Sequence, residues 1–230
     1  MKRDIILLAV CLCVLVGVNW LGESQAELAS AAVELGGKPT LILDAGHGGE
    51  DGGASTASGE KESDINLAIV LKTRALMAFL GEEPRLTRDR DCSLHSDGAE
   101  TIRQKKVSDL KNRVKMVEST PNALLISVHQ NHFTDPRYSG TQVFFNLGDE
   151  NRQWAENAQE IFRQTLTPDN NRKAKPMPDG IYLFDHISCP AILVECGFLS
   201  NGEEAALLCT DAYQQKVALA LVGAYYVRFQ

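Results

Sequence analysis

The chain has 230 residues, 44% of them hydrophobic and 23% charged, enough for one globular domain with a full core and a short extension. A net charge of −7 leaves no basic excess to neutralise phosphates, which argues against nucleic-acid binding. Six cysteines occur without a C-x-x-C pair, which argues against a thiolate metal site and against a disulfide framework.

Lys2 and Arg3 precede an apolar run from Ile5 to Leu21, broken by Gly17 and Asn19. The small-residue exit Ser24-Gln25-Ala26 completes the pattern of an export signal. The run, about 17 residues long, also suffices for a membrane anchor. Residues 1–26 are therefore expected to be a signal peptide or a membrane anchor, with the rest of the chain outside the cytoplasm. Residues 27–38, rich in Ala, Glu and Gly, read as a linker, and 39–230 as the folded domain.

Thr40 to Asp44 predicts a buried strand ahead of glycines. Apolar residues at helical spacing from Asp64 to Leu80 predict a helix that Gly81 ends. Arg85-Leu86-Thr87 predicts a short strand, Ser108 to Val117 a helix, and Ala123 to Val128 and Thr141 to Phe145 two more strands. Glu150 to Leu166 is expected to be helical, Ile181 to Leu183 extended, Ala191 to Val194 a buried strand and Tyr213 to Val227 the closing helix. Strands alternating with helices imply an α/β three-layer sandwich, its central mostly parallel sheet flanked by helices.

In such sheets the functional residues sit past the carboxyl ends of the strands. His47 follows the first strand in a glycine-rich turn, His129 ends the third, and Glu195 ends the last long one. Glu62 lies just ahead of the first helix, where a carboxylate commonly does no more than compensate the helix dipole, and Glu60 competes with it for any role. His132 is a further candidate ligand. Two histidines and one carboxylate form a common catalytic zinc set that leaves a fourth position for water. A carboxylate after a run as apolar as Ala191-Ile192-Leu193-Val194 is costly to bury without a partner or a task, and a general base is such a task.

Four segments taken in order carry a resemblance. Asp44-Ala45-Gly46-His47-Gly48-Gly49, Glu62-Ser63-Asp64-Ile65-Asn66-Leu67-Ala68-Ile69, Ser127-Val128-His129-Gln130-Asn131 and Pro190 to Asn201 resemble the zinc-dependent N-acetylmuramoyl-L-alanine amidases. The resemblance runs from about Pro39 to Phe229 and makes residues 39–230 a zinc amidase domain. It implies zinc on His47, Glu62 and His129, and a catalytic glutamate at Glu195. Glu62 rather than Glu60 matches, because the family's glutamate stands four residues before the Asn66 position. Ser63 departs from the family by replacing a usual lysine.

Tyr138-x-Gly140-x-Gln142-Val143-Phe144-Phe145, Ala174-Lys175-Pro176, Ile181-Tyr182-Leu183 and Cys189-Pro190 resemble the spore-cortex, germination-related branch. The family implies peptidoglycan as substrate, and the branch a partner polysaccharide deacetylase that forms muramic δ-lactam; the sequence does not give whether an accessory protein is needed. Asp51 and Asn131 are candidates for outer-shell or substrate contacts, or for simple turn formation. His95, His132 and His186 read as surface or structural residues, with His186 next in line as a base. The rival readings are a related zinc peptidase, which would show a carboxylate-rich second metal site, and an inactive wall-binding module, which would lack one of the four residues.

Overall fold

Thr40–Ala45 (β1) is a short apolar run bounded by Pro39 and a glycine-rich turn, and every residue after Thr40 in it is buried. Such a run cannot lie on a surface, so it becomes an inner strand. The computed structural model describes residues 38–146 and 148–229. The expected export segment and most of the linker lie outside the described residues.

The remaining elements are α1 (Glu62–Phe79), β2 (Arg85–Leu86), α2 (Ile102–Glu118), β3 (Ala123–Asn131), β4 (Gln142–Phe145) and α3 (Asp149–Thr165). They are followed by β5 (Lys175–Pro176), α4 (Tyr182–Asp185), β6 (Ala191–Phe198), α5 (Gly202–Leu208), α6 (Asp211–Tyr226) and a 3-10 turn, Val227–Phe229. The six strands form one sheet in the order β2-β1-β3-β6-β4-β5. β2, β1, β3 and β6 run parallel, and β4 is antiparallel to β6. The α/β sandwich with a mostly parallel central sheet is thus the one the alternating pattern implies.

Alternation along the strands divides the apolar residues between two faces. Leu41, Leu43, Leu124, Ile126, Ile192 and Val194 join residues of α1, α3, α5 and α6 in the larger core. Ile42, Leu125, Ala191 and Leu193 face α2 and α4 in a smaller one.

Several elements differ from expectation in their ends. α2 begins six residues before the expected Ser108, because Thr101 and Gln104 close a reciprocal capping box that the apolar pattern does not show. β3 and β6 run on past His129 and Glu195, which therefore lie within strands rather than at their ends. Glu62 is the first residue of α1 rather than a residue ahead of it. Ile181 to Leu183 is not extended: Phe184 and Asp185 N–H both donate to Ile181 O, at 2.9 and 3.0 Å, closing the turn of α4. The turn buries Leu183 and Phe184 against the smaller core. α5, absent from the apolar pattern, starts where the Asn201 side chain accepts from Glu204 N–H.

Candidate metal centre

β1 and β3 are hydrogen-bonded neighbours, so the loop after β1 and the end of β3 meet at one edge of the sheet. His47 sits in that loop with φ 63°, a left-handed conformation that a non-glycine residue adopts at a cost. His129 comes from β3, and its ring lies against the backbone of residue 46. A Cβ at Gly46 would stand 2.2 Å from that ring, so only glycine fits there. α1 enters the same space with Glu62 in its first turn.

The three side chains converge. Glu62 Oε1 lies 3.3 Å from His47 Nε2 and accepts from His129 Nδ1 at 2.9 Å. One donor atom from each residue falls within 4.8 Å of the others, and this is the group of metal-binding type among the described residues. The other contacts fix which atoms face inward. His47 Nδ1 donates to Asp51 Oδ2 at 3.0 Å, leaving Nε2 for the centre. Ala54 N–H donates to Glu62 Oε2 at 2.9 Å, and Gln130 N–H to Oε1 at 3.1 Å. Asn66 Nδ2 bridges Glu62 Oε1 and Gly46 O.

The electrostatics follow from burial and proximity. Burial works against the Glu62 carboxylate, but the bonds from His129 and His47 hold it well below the usual carboxylate range. Burial likewise works against a charged His47, yet the Asp51 and Glu62 carboxylates raise it to about 9. Without a metal, then, a proton on His47 is the cation that compensates buried Glu62.

Glu195 pairs in register with His129 across β3 and β6. It lines a cavity of about 270 Å³ together with His47, Asp51, Lys106, Arg113, His129, Ile181 and Tyr182. Its Oε2 is shielded from solvent and has no hydrogen-bond partner. Burial, opposed by His129 and reinforced by Glu62, lifts its carboxyl to about 7. A buried carboxylate oxygen without a partner, on a residue that lines the cavity beside the convergent donors, fits a proton carrier next to a divalent ion. The nitrogen and oxygen donor set fits zinc.

The other candidates lie elsewhere. Glu60 bonds Ser58 and Thr56 on the loop before α1, outside the group. His132 is exposed. His95 bonds Ser93, and exposed His186 stacks on Tyr182 at 4.0 Å. Asp51 holds a candidate ligand rather than merely forming a turn. Cys92, Cys189, Cys196 and Cys209 are free thiols; of the two expected to be small buried hydrophobes, Cys196 is buried and Cys189 only half-buried.

Fold and site define a class: a hydrolase of the α/β sandwich type with a candidate metal centre at the carboxyl edge of its sheet. Residues 41–224 match the family described as N-acetylmuramoyl-L-alanine amidase, and the chain belongs to it. Its reaction is hydrolysis of the amide joining N-acetylmuramic acid to L-alanine in peptidoglycan.

The chain is 36% identical to the germination-specific N-acetylmuramoyl-L-alanine amidase of Bacillus subtilis, covering 83% of this chain and 79% of that one. It is 29% identical to AmiA of Escherichia coli, over 87% of this chain and 80% of the relative. Among solved structures it resembles the CwlD amidase of Clostridioides difficile, which was solved in complex with the GerS lipoprotein. The TM-score is 0.79 and the identity 38%, over 83% of this chain and 98% of that one.

Proposed function

We propose that this chain is a zinc-dependent amidase of the spore cortex, with zinc held by His47, Glu62 and His129 and with Glu195 as the proton carrier. The observation that carries the reading is the convergence of His47, Glu62 and His129, two of which line the same cavity as Glu195, whose Oε2 is buried without a partner. When bound, zinc supplies Lewis acidity to a water molecule and to the scissile lactyl carbonyl.

The chain's own groups do the rest. Asp51 keeps the His47 ring turned inward, and the Ala54 and Gln130 N–H groups fix the Glu62 carboxylate. Glu195 takes the proton of the attacking water and returns it to the departing L-alanine nitrogen. Its position in a recess walled by Leu183, Phe184 and Leu193 keeps bulk water from competing for that proton.

The likeness to a germination-specific amidase supports the cortex as substrate, with a polysaccharide deacetylase consuming the product to give muramic δ-lactam. The complex of the Clostridioides difficile relative supports an accessory lipoprotein for this chain too. Peptidoglycan lies outside the cytoplasmic membrane, so the segment Ile5 to Leu21 is assigned to export. Among the described residues no helix is long and apolar enough to cross a membrane.

Purified full-length chain incubated with peptidoglycan should release new L-alanine amines and leave peptide-free muramic acid, both seen by mass spectrometry. A chelator should abolish the cleavage and zinc should restore it. Cleavage that persists at full strength after exhaustive chelation would overturn the zinc assignment.

A further inference from the structure

Two buried arginines lie beside the candidate metal centre, Arg113 on the wall of its cavity and Arg88 outside that lining. Arg88 and Arg113 are 3% and 2% exposed. Burying a guanidinium is costly unless its donors are matched, so what these donors touch indicates what the residues are for.

Arg88 is matched by main-chain carbonyls. Its Nε donates to Ala45 O at 3.0 Å, and its Nη2 donates to both Gly46 O at 3.0 Å and Ser63 O at 2.7 Å. Residue 46 precedes His47 and residue 63 follows Glu62. A single nitrogen therefore pins together the two backbone segments that carry two of the three candidate ligands.

Arg113 comes from α2 on the opposite side. Its Nη1 donates to Ala45 O at 2.9 Å and its Nη2 to His47 O at 2.7 Å. Nη1 also meets Asp44 Oδ1 at 2.5 Å, while Ser127 Oγ donates to Asp44 Oδ2 at 2.6 Å. Ser127 is two residues before His129 on β3, so the chain Arg113-Asp44-Ser127 ties the His47 loop to the strand of the third ligand. Asp109 completes the pairing through Arg113 Nε at 2.7 Å.

The carbonyls of residues 45, 46 and 47 thus each accept from a guanidinium as the chain leaves β1. That departure ends the strand pairing, and Gly46 O is the one of the three that also accepts from a further side chain, Asn66. The departure is also where His47 takes its left-handed conformation, which persists only if its surroundings over-determine it.

We infer that Arg88 and Arg113 are positioning residues that set zinc affinity by bracing the His47 loop against the Glu62 helix and the His129 strand. The inference rests on the zinc reading above. Lysine is a poor substitute, because the brace needs several donors held in one planar fork, and an ammonium offers a point charge.

The test measures zinc dissociation constants by chelator competition on the full chain, far below the melting temperature. Arg88→Lys and Arg113→Lys should each weaken zinc 10–100-fold, the range typical of groups that orient ligands. They should also alter the visible absorption of the cobalt-substituted protein, which reports the ligand geometry. Leu221→Ala, in the larger core on α6, supplies a matched loss of stability away from the centre and should leave zinc affinity unchanged.

Should either lysine variant fail to fold, Ser127→Ala removes one strut with little other change and should weaken zinc about tenfold. Zinc constants within twofold of wild type in the folded variants, with only the melting temperature lowered, would overturn the bracing role while leaving the zinc reading intact. A wild-type chain that takes up no zinc would overturn both.

Discussion

The two faces of the sheet differ in what they bury. One face meets α1, α3, α5 and α6 through a continuous apolar cluster that includes Trp154, Phe162, Leu221 and Tyr225. The buried Trp154 indole there is satisfied by Ala224 O at 2.7 Å. The other face has the smaller cluster beneath α2 and α4, and beside it a cavity lined by Asp44, Arg113, Ser127 and Glu195. The larger apolar cluster lies on the first face. The second gives up apolar packing for buried charge and an unpartnered carboxylate, as expected where function is carried at a cost to folding.

The largest effect that can break this comparison is a cavity in the apolar face. Phe162 is fully buried, and Phe162→Ala should cost about 3–5 kcal/mol in denaturant unfolding. Zinc affinity of the folded protein should not change. A shift in zinc affinity would show that the two faces are not separable.

A ligand change at the carboxyl edge of the sheet should do the reverse. Glu62→Gln should weaken zinc by more than the roughly 100-fold limit of outer-shell changes, whereas Glu60→Gln should leave metal content alone. Equal metal content in the two variants would refute the choice of Glu62.

Glu195 sharpens the cost of function. Its folded carboxyl titrates near 7 instead of 4.5, so ionising it opposes folding. The penalty is absent below the unfolded value, grows as pH rises from 4.5 to 7, and is constant above. In the metal-free chain, Glu195→Gln should therefore raise stability at pH 8 by at most about 3 kcal/mol. The gain should vanish near pH 4, and urea midpoints at the two values measure it.

His47 has the opposite sign. Its folded value near 9 exceeds the ordinary 6.5, so its contribution is complete below 6.5 and is lost as pH rises through 9. A metal needs the neutral ring, so zinc uptake at pH 7.5 should release about one proton. Titration calorimetry in buffers of different ionisation enthalpy counts it, and the release should fade above pH 9.

Much of this was legible in the sequence. The strand before Gly46, the helix after Glu62 and the strand before Glu195 carry strong apolar patterns, so the sheet and the shared edge of His47, His129 and Glu195 follow from periodicity. The helix starts and α4 did not follow, because a capping box at Thr101 and a single turn at Ile181 depend on hydrogen bonds rather than apolar spacing. Arg88 and Arg113 escaped for a related reason. A buried arginine reads as a surface residue until its carbonyl partners are seen, and Arg88 bonds residues 25 to 43 positions away in the chain. The spacing of Asp109 and Arg113 on one helix face was the available signal.

Zinc on three residues at the carboxyl edge of the sheet, with a fourth residue moving the proton, is the proposed mechanism. It is tested most directly by amide cleavage with Glu195→Gln at full zinc occupancy. Zinc content should stay normal while turnover falls about 10²–10⁴-fold. Near-normal cleavage by a fully zinc-loaded variant would remove Glu195 from the mechanism and contradict the account.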